Sequence, residues 1–371
     1  MLGVRAVAQA SRRAGAAQAS SRRRTETSSQ RWRAAGKEAS VRQVWITRRG
    51  GPEVLEVREA PDPQPGPGEV RIRVRAAGVN FADVMTRVGL YPDAPPLPCV
   101  VGYEVSGEID LPPERAGEKV LAMTRFRGYS ELVCVPVALV QPIPDALSFA
   151  EAASIPTVWL TAWHMLVELA NLRPGQTALI HAAAGGVGTA AVQICRRIGA
   201  TSIGTASAAK HARLRELGLG HAIDYRSMDF EAEVKRITSG RGVDVALDAV
   251  GTFRKSFRCL AKVGKLMMYG ASAMVRGEKR SLVAAVSTAA RMPWFHPLQM
   301  LPENKGIFGV NMGRLWDETA LLRRELGEVL KGFEAGEFKA IVDSEVPFAE
   351  ARRAHERLQA RENFGKVVLV P

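Results

Sequence analysis

The sequence predicts an α/β protein of two domains, a strand-rich first domain followed by a doubly wound parallel sheet. Three observations predict it. Residues 41–149 carry short β-like runs broken by Gly and Pro, and from Thr177 strand-like runs alternate regularly with helical ones. The first crossover holds Ala183-Ala184-Gly185-Gly186-Val187-Gly188, a glycine turn after a strand and opening a helix.

In chain order, VWITRRGGPEVLEVREAP, PGPGEVRIRVRAAGVN, SGEID, GEKVLAM and ELVCVPV read as strands of the first domain. RIRVRA alternates charged and apolar residues, as a half-buried strand does. After Phe149 the pattern turns helical. From there ALIHAA, SIGTA, AIDY, VDVALDAVG and KLMMYG read as strands, separated by the helices TAAVQICRRIG, AKHARLRELG, FEAEVKRI and FRKSFRCLAKVG. GIFGVNMG adds a further strand near residue 311. The tail offers a helix from Glu318 to Ala335, strand AIVDSEVPF, helix AEARRAHERLQ and strand GKVVLVP, expected to return to the first domain. The expected organisation is an extension over 1–40, a first domain over 41–162, a cofactor domain over 163–311 and the return over 312–371.

Composition narrows the function. Of 371 residues, 46% are hydrophobic and 24% charged, which suits sizeable buried cores. The uncharged stretch from Pro174 to Cys195 contains His181 and four glycines, so it reads as strand, turn and helix rather than a membrane span. The four cysteines form no C-x-x-C pair, which argues against a disulfide framework or a four-thiolate zinc site and suits a reducing compartment. The net charge is +13, but residues 1–40 hold nine Lys or Arg against Glu26 and Glu38, leaving the body at +6. A mildly basic body without interleaved aromatics gives no case for nucleic acid and suits an anionic cofactor. Residues 1–40, rich in Arg, Ser and Ala, read either as a transit peptide or as a disordered basic extension. The expected location is cytoplasmic, with the mitochondrion as the alternative if that segment targets.

Small residues at Ala184, Gly185, Gly186, Val187 and Gly188 let backbone approach a pyrophosphate, whose charge meets free N–H groups at the helix start. NAD selectivity usually needs an acid at the end of the second strand, about 20 residues on. No Asp or Glu occurs between Gly188 and Glu216; Thr205, Ser207 and Lys210 stand there instead. Hydroxyls and a cation suit a 2′-phosphate, so the expected cofactor is NADPH. Lys210 is also compatible with a solvated helix face.

The strand-rich first domain, AAAGGVG and the returning tail resemble the medium-chain dehydrogenase/reductase superfamily. RAAGVNFADVMTRVGLYPDAPPLP and GYEVSG look like its zinc-free quinone oxidoreductase branch; GTASAAKH, AIDY, MMYGASAMVRGEKRSL and NFGKVVLVP look like the vesicle amine transport homologues within it. The resemblance spans residues 41–371 and implies a GroES-like first domain beside a Rossmann cofactor domain. Zinc members of the superfamily hold the metal with a Cys, a His-Glu pair and a later Cys; here Asn80 and Gly102-Tyr103-Glu104 occupy the first two places, and no cysteine lies between Cys134 and Cys195. No metal is therefore expected.

Without a metal, the implied reaction is hydride delivery from NADPH to a quinone or an α,β-unsaturated carbonyl. The resemblance places Asn80, Tyr91 and Thr161 near the nicotinamide, with Tyr91 as a possible donor to the developing oxyanion. Asn80 is equally compatible with capping a turn, and Tyr91 with a packed aromatic before Pro92. Gly270-Ala271 and Phe308-Gly309-Val310 are implied to present backbone to the carboxamide, Tyr225 to lie beside the adenosine phosphate, and Asn363 with Lys366 to approach the cofactor from the tail. His164, His181, His211 and His355 match no ligand pattern and read as structural or exposed. Residues 276–305 combine a basic start with Met292, Trp294, Phe295, Leu298 and Met300; they read as a lid, a docking face, or a helix in the homodimer the family implies. The rival to the enzyme is an NADPH-binding factor that docks through this segment on a membrane surface or another protein.

Overall fold

A computed structural model describes residues 40–270 and 295–371. The expected extension, Ala271 and residues 276–294 lie outside them. The first domain is built from β1 (Ser40–Ile46), β2 (Leu55–Pro61), β3 (Glu69–Gly78), α1 (Phe81–Val88), β4 (Cys99–Val100), β5 (Glu104–Leu111), β6 (Lys119–Met123), β7 (Leu132–Pro136) and β8 (Val140–Pro142). Helices α2 (Phe149–Ala153) and α3 (Pro156–Trp163) lead out of it. Alternation then sets in with β9 (Thr177–Ile180), α4 (Gly186–Ile198), β10 (Thr201–Ala206), α5 (His211–Glu216), β11 (His221–Asp224), α6 (Phe230–Ile237), β12 (Val243–Asp248), α7 (Phe253–Arg258) and β13 (Leu260–Met268). After the short α8 (Pro297–Met300) come β14 (Gly306–Gly309), α9 (Thr319–Glu334), β15 (Val342–Pro347), α10 (Ala351–Gln359) and β16 (Lys366–Val370).

The six strands of the cofactor-type sheet run in the order β11-β10-β9-β12-β13-β14, each pair parallel. This doubly wound order reverses direction between β9 and β12, where ligands bind in such sheets. Helices cover both faces, and β9 records it residue by residue. Ala178 and Ile180 join the core that includes Trp159, Trp163 and Phe333, whereas Leu179 joins Ile203, Ile223 and Val234 on the other face.

The tail is part of the first domain's sheet. β16 pairs antiparallel with β3, at Val368 with Gly78 and Leu369 with Ala77, and parallel with β15. A seven-stranded sheet results, whose core gathers Val70, Ile72, Val105, Val367 and Leu369. On its way the tail crosses the glycine turn: the Gly365 N–H donates to the Ala184 carbonyl at 2.9 Å. The two sheets are thereby joined by backbone at the cleft between them.

One element departs from expectation. The helix read over residues 253–264 ends at Arg258, and β13 begins at Leu260. Pairing with β12 jumps from Val243–Leu260 to Val245–Lys265, so the residues between loop out, and Val263 takes a φ of 65° at 65% exposure. Helical spacing in that stretch loses to the ladder offered by β12.

Candidate active site

Two cavities meet in the cleft. One, of about 600 Å³, opens beyond the ends of β9 and β12 against the glycine turn. The other, of about 610 Å³, is lined mainly by apolar side chains such as Met85, Met123, Leu160, Met312 and Trp316. They share one wall, formed by Asn80, Phe81, Val187, Ala249 and Tyr269. An open hollow of about 730 Å³ beside Arg115 and Arg323 shares no residue with either and gathers no comparable groups.

Ala184, Gly185, Gly186, Val187 and Gly188 all line the first cavity. Gly185 caps α4 in an extended conformation, so the first N–H groups of a 13-residue helix face the cavity. A Cβ on Gly188 would stand 2.5 Å from the Ala182 oxygen, and one on Gly186 2.8 Å from Val158 Cγ1. Helix, strand and turn therefore approach more closely than any side chain permits, which fits the residues to a dinucleotide pyrophosphate.

Thr205, Ser207, Lys210 and Tyr225 line the same cavity, Tyr225 at 41% exposure just past β11. Lys210 is not a solvated side chain. Its Nζ donates to the carbonyls of Arg361 and Asn363, both at 2.7 Å, so it ties the tail across the cavity mouth with one ammonium proton to spare. Burial lowers its pKa. Asn363 also lines the cavity while its Nδ2 donates to the Gly365 carbonyl at 2.8 Å.

At the shared wall a buried ion pair spans the tail and the first domain. Lys366 Nζ sits 2.5 Å from Glu104 Oε1 and donates to Asn80 Oδ1 at 2.5 Å; Asn80 Nδ2 donates to the same Glu104 oxygen at 2.9 Å. Glu104 Oε2 accepts the Thr157 N–H at 2.7 Å. Lys366 thus departs from the solvated alternative, and Asn80 bears out its capping reading while also lining both cavities. It is the N-cap of α1, where Asp83 Oδ2 accepts its backbone N–H at 2.7 Å, and its amide faces both cavities. The Asp83 carboxylate is fully buried, also accepts from Gly102 N and Tyr129 Oη, and is pushed up to about 7 chiefly by desolvation.

Thr161 and Tyr91 line the apolar cavity. Thr161 Oγ1 donates to the Thr157 carbonyl at 2.6 Å, which leaves its lone pairs for a ligand. The Tyr91 ring meets that of Tyr103 edge to face, centroids 6.1 Å apart. Asp93, two residues on, accepts from Asn311 Nδ2 at 3.2 Å and Arg314 Nε at 3.0 Å, clasping the cavity's rim. Gly270, Gly309 and Val310 line this cavity, whereas Phe308 lines neither and packs against the core instead.

Sequence reasoning gave three residues no place in the site. Glu104 was signalled by an acid opening a run of otherwise apolar and small residues, which requires a buried partner. His181 lines the first cavity at 3% exposure, with Nδ1 3.1 Å from Thr205 Oγ1 and Nε2 3.1 Å from Ser256 Oγ. Burial lowers its pKa, so the ring is neutral: one nitrogen donates to its hydroxyl and the other accepts from its own. The third, Tyr103, carries no sequence signal. His355 is buried, its pKa pushed down to about 3 by desolvation; His164 pairs with Glu325 at 2.9 Å.

A strand-rich domain clasping a doubly wound sheet, with a glycine turn at its switch point, defines an alcohol dehydrogenase-like two-domain oxidoreductase fold. Residues 66–145 match the alcohol dehydrogenase GroES-like domain and residues 217–369 a family described as zinc-binding dehydrogenase. The human synaptic vesicle membrane protein VAT-1 homolog is 37% identical over 325 residues, covering 85% of this chain and 82% of that protein. A quinone oxidoreductase of Pseudomonas aeruginosa is 34% identical over 335 residues, covering 87% and 97%. The structure of Escherichia coli quinone oxidoreductase complexed with NADPH superposes with a TM-score of 0.78 at 28% identity, covering 89% and 100%. The chain belongs to the medium-chain dehydrogenase/reductase superfamily, in the branch of the VAT-1 homologs and quinone oxidoreductases.

Zinc does not fit the residues present. Where a thiolate would be needed stands Asn80, its oxygen already facing an ammonium, and the neighbouring carboxylate is neutralised by the same cation. Among the described residues no group of three His, Cys, Asp or Glu could hold a metal, and no helix is long and apolar enough to cross a membrane.

Proposed function

We propose that the chain is a zinc-independent, NADPH-dependent oxidoreductase that delivers hydride to quinones or α,β-unsaturated carbonyls. One observation carries the reading: the glycine-turn cavity and the apolar cavity share a wall, so a nicotinamide reaching from the first would face an acceptor held in the second. Bound there, NADPH would supply a hydride to an electron-poor carbon, while the acceptor's oxygen gathers charge and a proton comes from water.

The chain's own residues would bind and orient. Ala184 to Gly188 would receive the pyrophosphate on backbone N–H groups, and Thr205, Ser207 and Lys210 the 2′-phosphate. Tyr225 would flank the adenosine, and Gly270 with Gly309 and Val310 would border the carboxamide. Asn80, Thr161, Asn363 and Lys366 would fix the nicotinamide end, and Tyr91 would donate to the acceptor's oxygen. The acceptor pocket, walled by Met85, Leu160, Met312 and Trp316, suits a neutral, apolar acceptor.

The test is loss of reduced-nicotinamide absorbance with NADPH or NADH against quinones such as 9,10-phenanthrenequinone and enals such as trans-2-hexenal. Oxidation of NADPH well above that of NADH supports the reading; binding without turnover of any acceptor removes it. The second reading, a cofactor-binding factor that docks on a membrane or protein surface, draws on Leu298 and Leu301, each 66% exposed. Liposome capture without turnover would favour it. The homodimer expected of the family is checked by light scattering.

A further inference from the structure

Two phenols line the apolar cavity, and their oxygens meet different surroundings. Tyr91 Oη lies against Gly313, where an added Cβ would stand 2.8 Å from it. Tyr103 stands behind, 5% exposed, held between the Tyr91 ring and that of Phe126, whose centroid is 5.4 Å away. Its Oη is closed to solvent and has no hydrogen-bond partner among the described residues. The same holds for Thr86 Oγ1 on α1. A buried hydroxyl without a partner costs free energy that a phenylalanine would not, so its presence calls for a physical account.

We propose that Tyr103 is a positioning residue for the acceptor: its hydroxyl donates to the Tyr91 oxygen when Tyr91 donates to the acceptor's carbonyl oxygen, forming a two-phenol chain. The inference rests on the reductase reading of the same site. A phenol that accepts a hydrogen bond donates a stronger one, because each bond in a chain polarises the next. The gain grows as charge builds on the acceptor's oxygen, so the chain acts on the transition state more than on ground-state binding. Burial pushes both phenols' pKa up. Both stay protonated near neutral pH and able to donate.

The test is Tyr103→Phe, which keeps the ring and its edge contacts, measured with NADPH and 9,10-phenanthrenequinone. The expected result is a kcat lower by about tenfold with KM for NADPH unchanged and a melting temperature equal to or above wild type. Since Tyr103 acts through Tyr91, Tyr91→Phe combined with Tyr103→Phe is expected to be no slower than Tyr91→Phe alone. An unchanged kcat, or losses that multiply, overturns the proposal. Affinity for the same quinone is also measured by fluorescence quenching in the NADP⁺-loaded protein, where no hydride is available. Binding without wild-type turnover, weakened several-fold in Tyr103→Phe, removes the reductase reading and keeps the phenol chain. Equal binding by both proteins without turnover removes both, as does a wild type that neither binds nor turns over the quinone.

Discussion

The glycine-turn cavity and the apolar cavity share a wall but are made by different means. The first is mostly backbone: a turn, the ends of β9, β10 and β12, and a tail strand laid across them. The second is mostly side chain, drawn from α1, the loop after it, α3 and the segment that follows β14. Backbone geometry follows from local sequence, so a short motif specifies it; side-chain walls depend on which distant segments pack together. On the proposed reading, the first would serve any dinucleotide and the second would set which acceptor is taken.

The strongest way to break this contrast is at the wall itself. Glu104→Gln leaves Lys366 buried without a counter-charge, and we expect a loss of about 3–5 kcal/mol in urea denaturation. Glu104→Leu with Lys366→Met should recover most of it, since an apolar pair of similar volume needs no compensation. Beneath the apolar cavity, Asp83 carries its folded pKa up to about 7 from a reference of 3.8. The folded state then holds this proton more tightly than the unfolded one. The resulting stability is full below about pH 4 and lost as pH rises through 7, with a slope of up to about 1.4 kcal/mol per unit. Asp83→Asn should lack that component when urea midpoints are compared across the range.

On the backbone side, Gly188→Ala puts a methyl 2.5 Å from the Ala182 oxygen. A destabilisation of about 1–3 kcal/mol and loss of NADPH binding by calorimetry are expected. Lys210→Glu should weaken NADPH by about thirtyfold and NADH only a few-fold; equal losses would remove Lys210 from the phosphate site. Smallest in effect, and confined to the other region, Trp316→Ala should shift KM for bulky acceptors by about tenfold and leave NADPH affinity unchanged.

What the sequence revealed follows the same division. The alternation of strands and helices from Thr177 and the glycine turn were legible because each is local, and the residues 178–248 fall where those patterns put them. The end of α7 was not, since helical spacing over residues 259–264 gave way to pairing with β12. In the cleft, Asn80 and Lys366 could be singled out through the resemblance, but not the ion pair that joins them, since Glu104 and Lys366 lie 24 and 286 residues from Asn80. Tyr103 is an ordinary aromatic in the sequence; only its buried, unpartnered hydroxyl distinguishes it.

The bond between Lys366 and Asn80 also bears on how the chain is made. Residue 80 leaves the ribosome long before residue 366, so the nascent first domain holds Glu104 with no cation to neutralise it and β3 with no β16 beside it. Closing contacts so far apart is slow, and it comes last. The cleft between the two sheets is therefore complete only once β16 has paired with β3 and Lys366 has met Glu104.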